Sequence, residues 1–139
     1  MTKRLIVFSG FSGAIAVAFG AMGAHFLKEK MALGIITFDN LQAFETGVKY
    51  QMFHTIALLV VALLAKHKNK EKLQKVGYCF MAGIVLFSGS LYLLSTASLF
   101  GFGSMKLLGP ITPIGGLFFV AGWVLLGLSG FKQKEPSNQ

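Results

Sequence analysis

LIVFSGFSGAIAVAFGAMGA, which runs from Leu5 to Ala24, is an apolar stretch without a single charged residue. An α-helix needs about 20 mostly apolar residues to cross the hydrocarbon core of a bilayer, so this stretch is long enough to form one span. Three further stretches of the same kind cover residues 48–65, 76–94 and 111–131, and none has a charge in its central part. The pattern predicts an all-α integral membrane protein, a four-helix bundle.

The composition of the chain favours the same class of protein. Of its 139 residues, 54% are hydrophobic and 13% are charged, whereas soluble domains carry about 25% charged residues. We expect one transmembrane domain over residues 1–131, followed by a disordered polar tail over 132–139. The net charge of +8 lies in short clusters between the apolar stretches. These clusters do not form a basic stripe with aromatic residues, so the sequence does not predict nucleic-acid binding.

The start of the chain allows a second interpretation. Lys3 and Arg4, then an apolar stretch, then small residues at Ala21 and Gly23, also resemble a cleaved signal peptide. The apolar stretch is as long as a complete span, and more sequence of membrane character follows it. These features favour a retained first helix, with cleavage as the alternative.

The distribution of Lys and Arg predicts how the helices are oriented. With four spans, both termini and the 66–75 loop share one side. That side carries nine such residues: Lys3, Arg4, Lys66, Lys68, Lys70, Lys72, Lys75, Lys132 and Lys134. The other side carries four: Lys28, Lys30, Lys49 and Lys106. Because the side richer in Lys and Arg faces the cytoplasm, we expect a multi-pass protein of the bacterial inner (plasma) membrane with both termini in the cytoplasm. The basic loop is also expected to contact membrane lipids through their anionic headgroups.

Small residues recur at intervals of four in the first span. Gly10, Ala14 and Ala18 form one row, and Gly20 and Ala24 belong to another. Small residues at this spacing allow two helices to approach closely in lipid. We expect these rows to pack within the same bundle, because each helix already has neighbours there. A homodimer face is the alternative.

The residues before the second span predict where its helix begins. Asp39 and Gln42 are spaced like the two partners of an N-terminal capping box. We therefore expect the helix to begin near Asn40, before the chain enters the hydrocarbon core.

Polar side chains of the second and third spans share helix faces at similar depth, in the half of the membrane away from the cytoplasm. The candidate outer polar cluster consists of Tyr50, Gln51, His54, Ser88 and Tyr92, with His25 near its rim. Polar groups in lipid must find partners, so we expect these faces to turn toward one another. A hydrogen-bond network that locks the bundle, with each bond worth about 0.6 kcal/mol, is favoured over a ligand pocket.

The sequence does not predict a metal site, a cofactor or a catalytic centre. A zinc site needs three or four ligands with fixed geometry, and only His25 and His54 are available on the outer side. Cys79 lies in an apolar stretch, where it acts as a small hydrophobic residue. Common catalytic motifs, such as HExxH and GxSxG, do not occur, so no enzymatic activity is expected.

Four motifs carry a resemblance to a known family. They are GAMGAH (20–25), TGVKYQMFHTIALL (46–59), FSGSLY (87–92) and TPIGGLFFVAGW (112–123). They resemble the small bacterial membrane proteins of unknown function typified by YwdK and YgdD. The resemblance covers most of the chain and implies four spans in an inner membrane, without an established activity or site residues. Met22 departs from the family, which more often has Phe there, and should affect packing only.

Three classes of function follow from these observations. We rank first an accessory or structural membrane protein that acts through helix–helix contacts, either with other membrane proteins or as a homo-oligomer. A small transporter or channel with an outward-facing polar site is the alternative. A membrane enzyme ranks third, because no nucleophile, base and metal constellation stands out.

Overall fold

The computed structural model describes residues 2–66, 70–102 and 108–130. They form four helices long and apolar enough to cross a membrane: α1 (Thr2–Ala32), α2 (Phe38–Leu64), α3 (Lys70–Phe100) and α4 (Ile111–Gly130). These helices confirm the all-α, four-helix class. Phe131, the tail over 132–139, Lys68 and Lys106 lie outside the described residues.

The first helix is longer than the apolar stretch that predicts it. It has 31 residues, or about 46 Å at 1.5 Å per residue, against a hydrocarbon core of about 30 Å. A π-helical turn over Gly23–Leu27 joins its long first part to a short last part, Lys28–Ala32. The loop that follows includes Gly34, whose φ of 72° lies in the left-handed region that glycine adopts without strain.

The second helix begins earlier than expected, at Phe38, and a different residue caps it. The Thr37 hydroxyl accepts a hydrogen bond from the Asn40 amide, and the Asn40 side chain accepts one from the Thr37 amide, both at 3.1 Å. This reciprocal pair is the capping box, so the predicted box of Asp39 and Gln42 is wrong. The extended backbone of Thr37 is the conformation that an N-cap requires.

The third helix changes its helical type twice. A π-helical turn over Ile84–Ser88 interrupts the α-helix, and a 3₁₀ turn over Ala97–Phe100 ends it. Gly101 then adopts a φ of 66°, a left-handed conformation that commonly terminates a helix. These changes set which side chains α3 turns toward its neighbours.

Helices α2 and α3 form the centre of the bundle, and α1 and α4 flank them on either side. In their most apolar windows, 44% of α2 and 39% of α3 is buried, against 22% of α1 and 17% of α4. The flanking helices therefore turn most of their surface outward. We call the end that carries residues 33–37 the outer end, and the end that carries Lys3 and Arg4 the inner end.

Helix α4 packs closely on α3 through glycine. A Cβ on Gly115 would collide with the backbone of Phe87, and one on Gly122 would lie 2.5 Å from the ring of Phe80. On the facing side, a Cβ on Gly83 would collide with the ring of Phe119. Close approach through small residues drives helix association in lipid, where burial of apolar surface contributes little.

The row of Gly10, Ala14 and Ala18 does not form the packing face of α1. The described residues place nothing within 4 Å of a Cβ built on Gly10, and Ala14 and Ala18 are exposed. A Cβ on Gly20 would meet Val48 at 3.6 Å, an ordinary contact, while Ala24 is exposed at the rim of a shallow groove. Packing within the bundle is therefore corrected for Gly10, Ala14 and Ala18, and the homodimer alternative stays a prediction.

Another face of α1 is buried instead. Its buried residues are Leu5, Ser9, Ser12, Ala16, Gly23 and Leu27. Their spacings of three, four and seven follow the 3.6-residue period of the helix, whereas a row with a strict spacing of four drifts around the helix to another side. The buried face also contains two serine hydroxyls, those of Ser9 and Ser12.

Candidate functional site

Gln51 is the centre of a hydrogen-bond network that joins three helices. Its Nε2 donates to the Ser12 carbonyl at 2.9 Å, and the Ser12 hydroxyl lies 3.3 Å away. Its Oε1 accepts from the Tyr92 hydroxyl at 2.7 Å. The Ser12 and Thr55 hydroxyls share a further bond of 2.7 Å. We call Ser12, Gln51, Thr55 and Tyr92 the Gln51 network; it connects α1, α2 and α3.

Aromatic packing holds Tyr92 in position for its bond to Gln51. The Tyr92 ring meets Phe19 edge-on, with centroids 4.7 Å apart, and contacts Phe44 at 4.9 Å. Gly47 leaves the necessary room on α2, since a Cβ there would lie 2.9 Å from the Tyr92 ring. The phenol therefore lies among side chains of α1 and α2 that restrict its rotation.

His54 uses both ring nitrogens in a second network, on the side of α2 that faces α4. Its Nδ1 lies 2.7 Å from the Tyr50 carbonyl, and its Nε2 lies 3.1 Å from Trp123 Nε1. An indole N–H can only donate, so Nε2 is the acceptor in this pair. Nδ1 therefore carries the proton and donates to the Tyr50 carbonyl, and the imidazole is neutral.

Aromatic rings surround the His54 imidazole. It stacks on Phe119 with centroids 3.5 Å apart and planes 12° apart, and Phe80 meets its edge at 5.4 Å. Only 5% of His54 is exposed. We call Tyr50, His54, Phe119 and Trp123 the His54 stack; it connects α2 to α4.

The predicted outer polar cluster is thus divided between two networks. Gln51 and Tyr92 meet, as Tyr50 and His54 do, but the two pairs turn toward different neighbours, α1 and α4. The expectation of one shared region is corrected to two. The physical reason is the helical period: Tyr50 and Gln51 are adjacent in the chain and therefore point about 100° apart.

Ser88 belongs to neither network. It is fully buried in the π-turn of α3, and its hydroxyl has no hydrogen-bond partner in the parts of the chain that the structure describes. The Ser9 hydroxyl on α1 is in the same situation. A buried hydroxyl without a partner loses its hydration without compensation, so Ser9 and Ser88 are the two positions where a buried hydroxyl is expected to destabilise the fold.

His25 lies apart from the interior residues. It is exposed on the outer part of α1 and lines an open cleft of about 630 Å³ with Ala24, Phe26, Lys28, Glu29 and Ala32. The structure therefore does not place it at the rim of either network.

Sequence reasoning missed four residues that complete the networks: Ser12, Thr55, Phe119 and Trp123. Two signals were available for α2 and α1. Thr55 follows Gln51 by four residues on the same helix face, and Ser12 follows Ser9 by three. Trp123 is the last residue of the TPIGGLFFVAGW motif, but nothing in the sequence indicates that its N–H meets His54.

A hydrogen bond of 2.7 Å between the Ser90 and Thr112 hydroxyls also joins α3 to α4 near the outer end.

The arrangement offers little for metal or acid–base chemistry. Among the described residues, no three His, Cys, Asp or Glu side chains are grouped so that they could hold a metal ion. His54 could serve as a base only by giving up its bond from Trp123, because Nε2 is the ring nitrogen that would accept a proton. The geometry therefore suits a structural lock between helices.

Comparison with known proteins identifies relatives that match nearly the whole chain. The model of a protein family of unknown function, DUF423, matches residues 19–116. The membrane protein YwdK of Bacillus subtilis is 39% identical, over 94% of this chain and 98% of its own.

The chain belongs to the DUF423 family.

Other relatives extend over similar lengths. A DUF423 relative, a membrane protein of Haemophilus influenzae, is 40% identical over 97% of this chain and 99% of its own. The inner membrane protein YgdD of Escherichia coli is 37% identical over the full length of both chains. No solved structure matches the chain. The predicted resemblance is confirmed, and the chain is a membrane protein of a family whose role is unknown.

Proposed function

We propose that this DUF423 protein is an accessory membrane protein that acts through contacts of its outward helix faces with other transmembrane helices. The observation that carries this proposal is the hydrogen bonding of the interior. Gln51, His54 and Tyr92 each direct their polar atoms to other side chains or carbonyls of the same chain. Those atoms are then unavailable to a passing solute.

The ionisable group inside the bundle supports the same role. Ion-coupled transporters usually keep a titratable side chain within the membrane, next to the pathway that it serves. Here His54 is at that depth, and both of its nitrogens are bonded. Releasing Nε2 would require the indole of Trp123 to withdraw its N–H from the imidazole.

The outward face of α1 is the candidate contact surface. Gly10, Ala14 and Ala18 lie there at intervals of four, and a second helix could approach this row closely. Either another membrane protein or a second copy of the chain would fit. The location that goes with this role is a bacterial inner membrane, with both termini in the cytoplasm.

A matched pair of variants tests the role. Ala14→Trp places a large ring on the small-residue row of α1, and Val120→Trp does the same on the outward face of α4, where Val120 is 60% exposed. After gentle extraction from native membranes, we expect Ala14→Trp to lose the associated helices and Val120→Trp to retain them. Recovery of the same single, unassociated chain for wild type and both variants would contradict the proposal.

A small transporter is the second candidate, and the unpartnered hydroxyls of Ser9 and Ser88 favour it. Buried polar groups without protein partners commonly bind water, and a chain of waters could extend from them. Proteoliposomes of the purified protein that release a solute, with release abolished in Ser88→Ala, would establish this function. Proteoliposomes that retain the solute, together with a stable partner complex, would exclude the transporter function.

A further inference from the structure

An apolar groove lies between α1 and α3 at the inner end of the bundle. Its volume is about 680 Å³. It is lined by Lys3, Arg4, Val7, Phe8, Phe11 and Met81. We call it the inner groove; neither network extends to it.

The inner groove is charged at one end and apolar along the rest of its length. Lys3, Val7 and Phe11 follow one another at intervals of four, so they share one side of α1. At 1.5 Å per residue, Phe11 lies about 12 Å from Lys3 along the helix axis. Val7 is 49% exposed and Phe11 is 71% exposed, so other elements of the bundle leave this surface largely uncovered.

The charges around the groove have one predominant sign. The described cations at this end are Lys3, Arg4, Lys66, Lys70, Lys72 and Lys75, and the described carboxylate is that of Glu71. The structure, over its described residues, shows no ion pair for Lys3 or Arg4; the salt bridge that it does show, Lys30 to Glu29 at 3.7 Å, is at the outer end. An anion at the mouth of the groove would therefore have two cations available.

We propose that the inner groove binds one anionic phospholipid. The phosphate of the lipid lies between Lys3 and Arg4, and one acyl chain runs along Val7, Phe8 and Phe11 toward the middle of the membrane. A free phosphate ion would use only the cations, and a lipid without net charge would gain little from them. The combination of a basic mouth and an apolar wall fits a headgroup and a chain in one molecule.

This proposal is independent of the accessory role. It concerns the inner part of α1 next to α3, whereas the proposed contact row begins at Gly10 and continues toward the outer end. A lipid in the groove would also be present in a monomer, so its binding can be measured without any partner.

Native mass spectrometry of the purified full-length chain in mild detergent measures the binding. The probes are dioleoylphosphatidylglycerol, which is anionic, and dioleoylphosphatidylcholine, which has no net charge. We expect the anionic lipid to be retained about thirtyfold more tightly, since each basic residue near a headgroup contributes about one kcal/mol and two are available. Equal retention of the two lipids would overturn the proposal.

Charge variants locate the site. Lys3→Gln with Arg4→Gln removes the mouth of the groove, and Lys66→Gln with Lys70→Gln removes two charges from the same end of the bundle but outside the groove. We expect the first pair to lose about thirtyfold in affinity for the anionic lipid and the control pair to lose less than twofold. Equal losses would show a diffuse basic surface and overturn the site. The first pair leaves seven of the nine Lys and Arg residues on that side, so orientation is retained.

Shape variants test the acyl-chain part separately. Val7→Trp fills the groove without a change of charge, and Val17→Trp adds the same ring elsewhere on α1, where Val17 is 64% exposed. We expect Val7→Trp to reduce retention of the anionic lipid and Val17→Trp to leave it unchanged. Displacement of the lipid by excess inorganic phosphate, or no effect of Val7→Trp, would show a simple anion site and overturn the proposal.

Discussion

At the scale of single residues, hydrogen bonds between distant positions define the interior. Gln51 bonds to residues 39 and 41 positions away, and His54 to one 69 positions away. Such bonds contribute about 0.6 kcal/mol on average inside membrane proteins, so their value lies in orientation as much as in stability. Each network fixes the rotation of α2 relative to a different neighbour.

Replacement of Trp123 by Phe tests the bond to His54. The variant keeps an aromatic ring beside Phe80, at 5.3 Å in the native protein, but it removes the N–H donor. We expect the free energy of unfolding in detergent to fall by about 0.6 kcal/mol and by no more than about 1.7 kcal/mol. A double-mutant cycle with His54→Phe isolates the pair; a coupling energy of zero would show that the two rings do not share this bond.

Two serine substitutions should have opposite consequences. Ser12→Ala removes a hydroxyl that bonds to Thr55 and approaches Gln51, so the free energy of unfolding should fall by about 1 kcal/mol. Ser88→Ala removes a buried hydroxyl without a described partner, and stability should stay the same or rise by up to about 1 kcal/mol. Thermal unfolding of both variants in the same detergent measures the difference. A loss at Ser88 as large as that at Ser12 would show that Ser88 has a partner, such as a water molecule.

At the scale of helices, α3 and α4 approach each other where glycines leave room. Gly83 accepts the ring of Phe119, and Gly122 accepts the ring of Phe80. The aromatic rings that fill these positions also surround His54. The glycine contacts and the His54 stack are therefore parts of one interface, and a shift of α4 would disturb both.

Adjacent glycines in α4 provide a matched test of this interface. Gly115→Ala would place a methyl group against the backbone of Phe87, which cannot give way, whereas at Gly116 the nearest atom of Phe87 is 3.8 Å from the new Cβ. Overpacking of this kind costs about 1–3 kcal/mol, so Gly115→Ala should lower the unfolding temperature markedly. Gly116→Ala should be neutral or slightly stabilising, because alanine favours a helix. Similar behaviour of the two variants would contradict the close packing.

The sequence predicts the helices better than it predicts their faces. Four apolar stretches are sufficient to predict four spans, because length and the absence of charge decide whether a helix can cross a membrane. Which side is buried depends on packing alone when the whole circumference is apolar. Gly10 and Gly20 both lie among apolar and small residues of the first span, yet Gly10 faces outward and Gly20 lies near Val48. The two π-turns also have no evident sequence signal, and they change which residues follow in register.

At the scale of the whole molecule, the central position of α2 and α3 explains why the polar residues lie in two regions and not in the one that the sequence predicts. Both central helices have neighbours on two sides, so their polar residues can turn toward either. The sequence correctly predicts that Tyr50 and Gln51 lie on the second span, but it predicts one shared region for them. In the structure Tyr50 faces α4 and Gln51 faces α1. The contact between α2 and α4, two helices that are not consecutive in the chain, separates Tyr50 from Gln51.

The orientation of the molecule in the membrane is testable with reporter fusions. The split of Lys and Arg that the sequence predicts for the two sides of the membrane, nine against four, predicts that the C-terminus and the 66–75 loop are cytoplasmic. A reporter inserted in the loop at 33–37 should be on the opposite side and serves as the control. A C-terminus outside the cytoplasm would require an odd number of spans and would support cleavage of the first helix.

The long separation between His54 and Trp123 has a consequence for biosynthesis. Ribosomes add about 5–20 residues per second, so the 69 positions between them take about 3–14 s to translate. During that interval α2 is already made, but Trp123, whose N–H donates to His54 Nε2, has not yet been translated. A nascent chain that stalls in this window leaves that imidazole nitrogen without the hydrogen-bond donor that it has in the finished protein. The last helix to be made therefore also supplies the hydrogen bond that the second helix has lacked since its own synthesis.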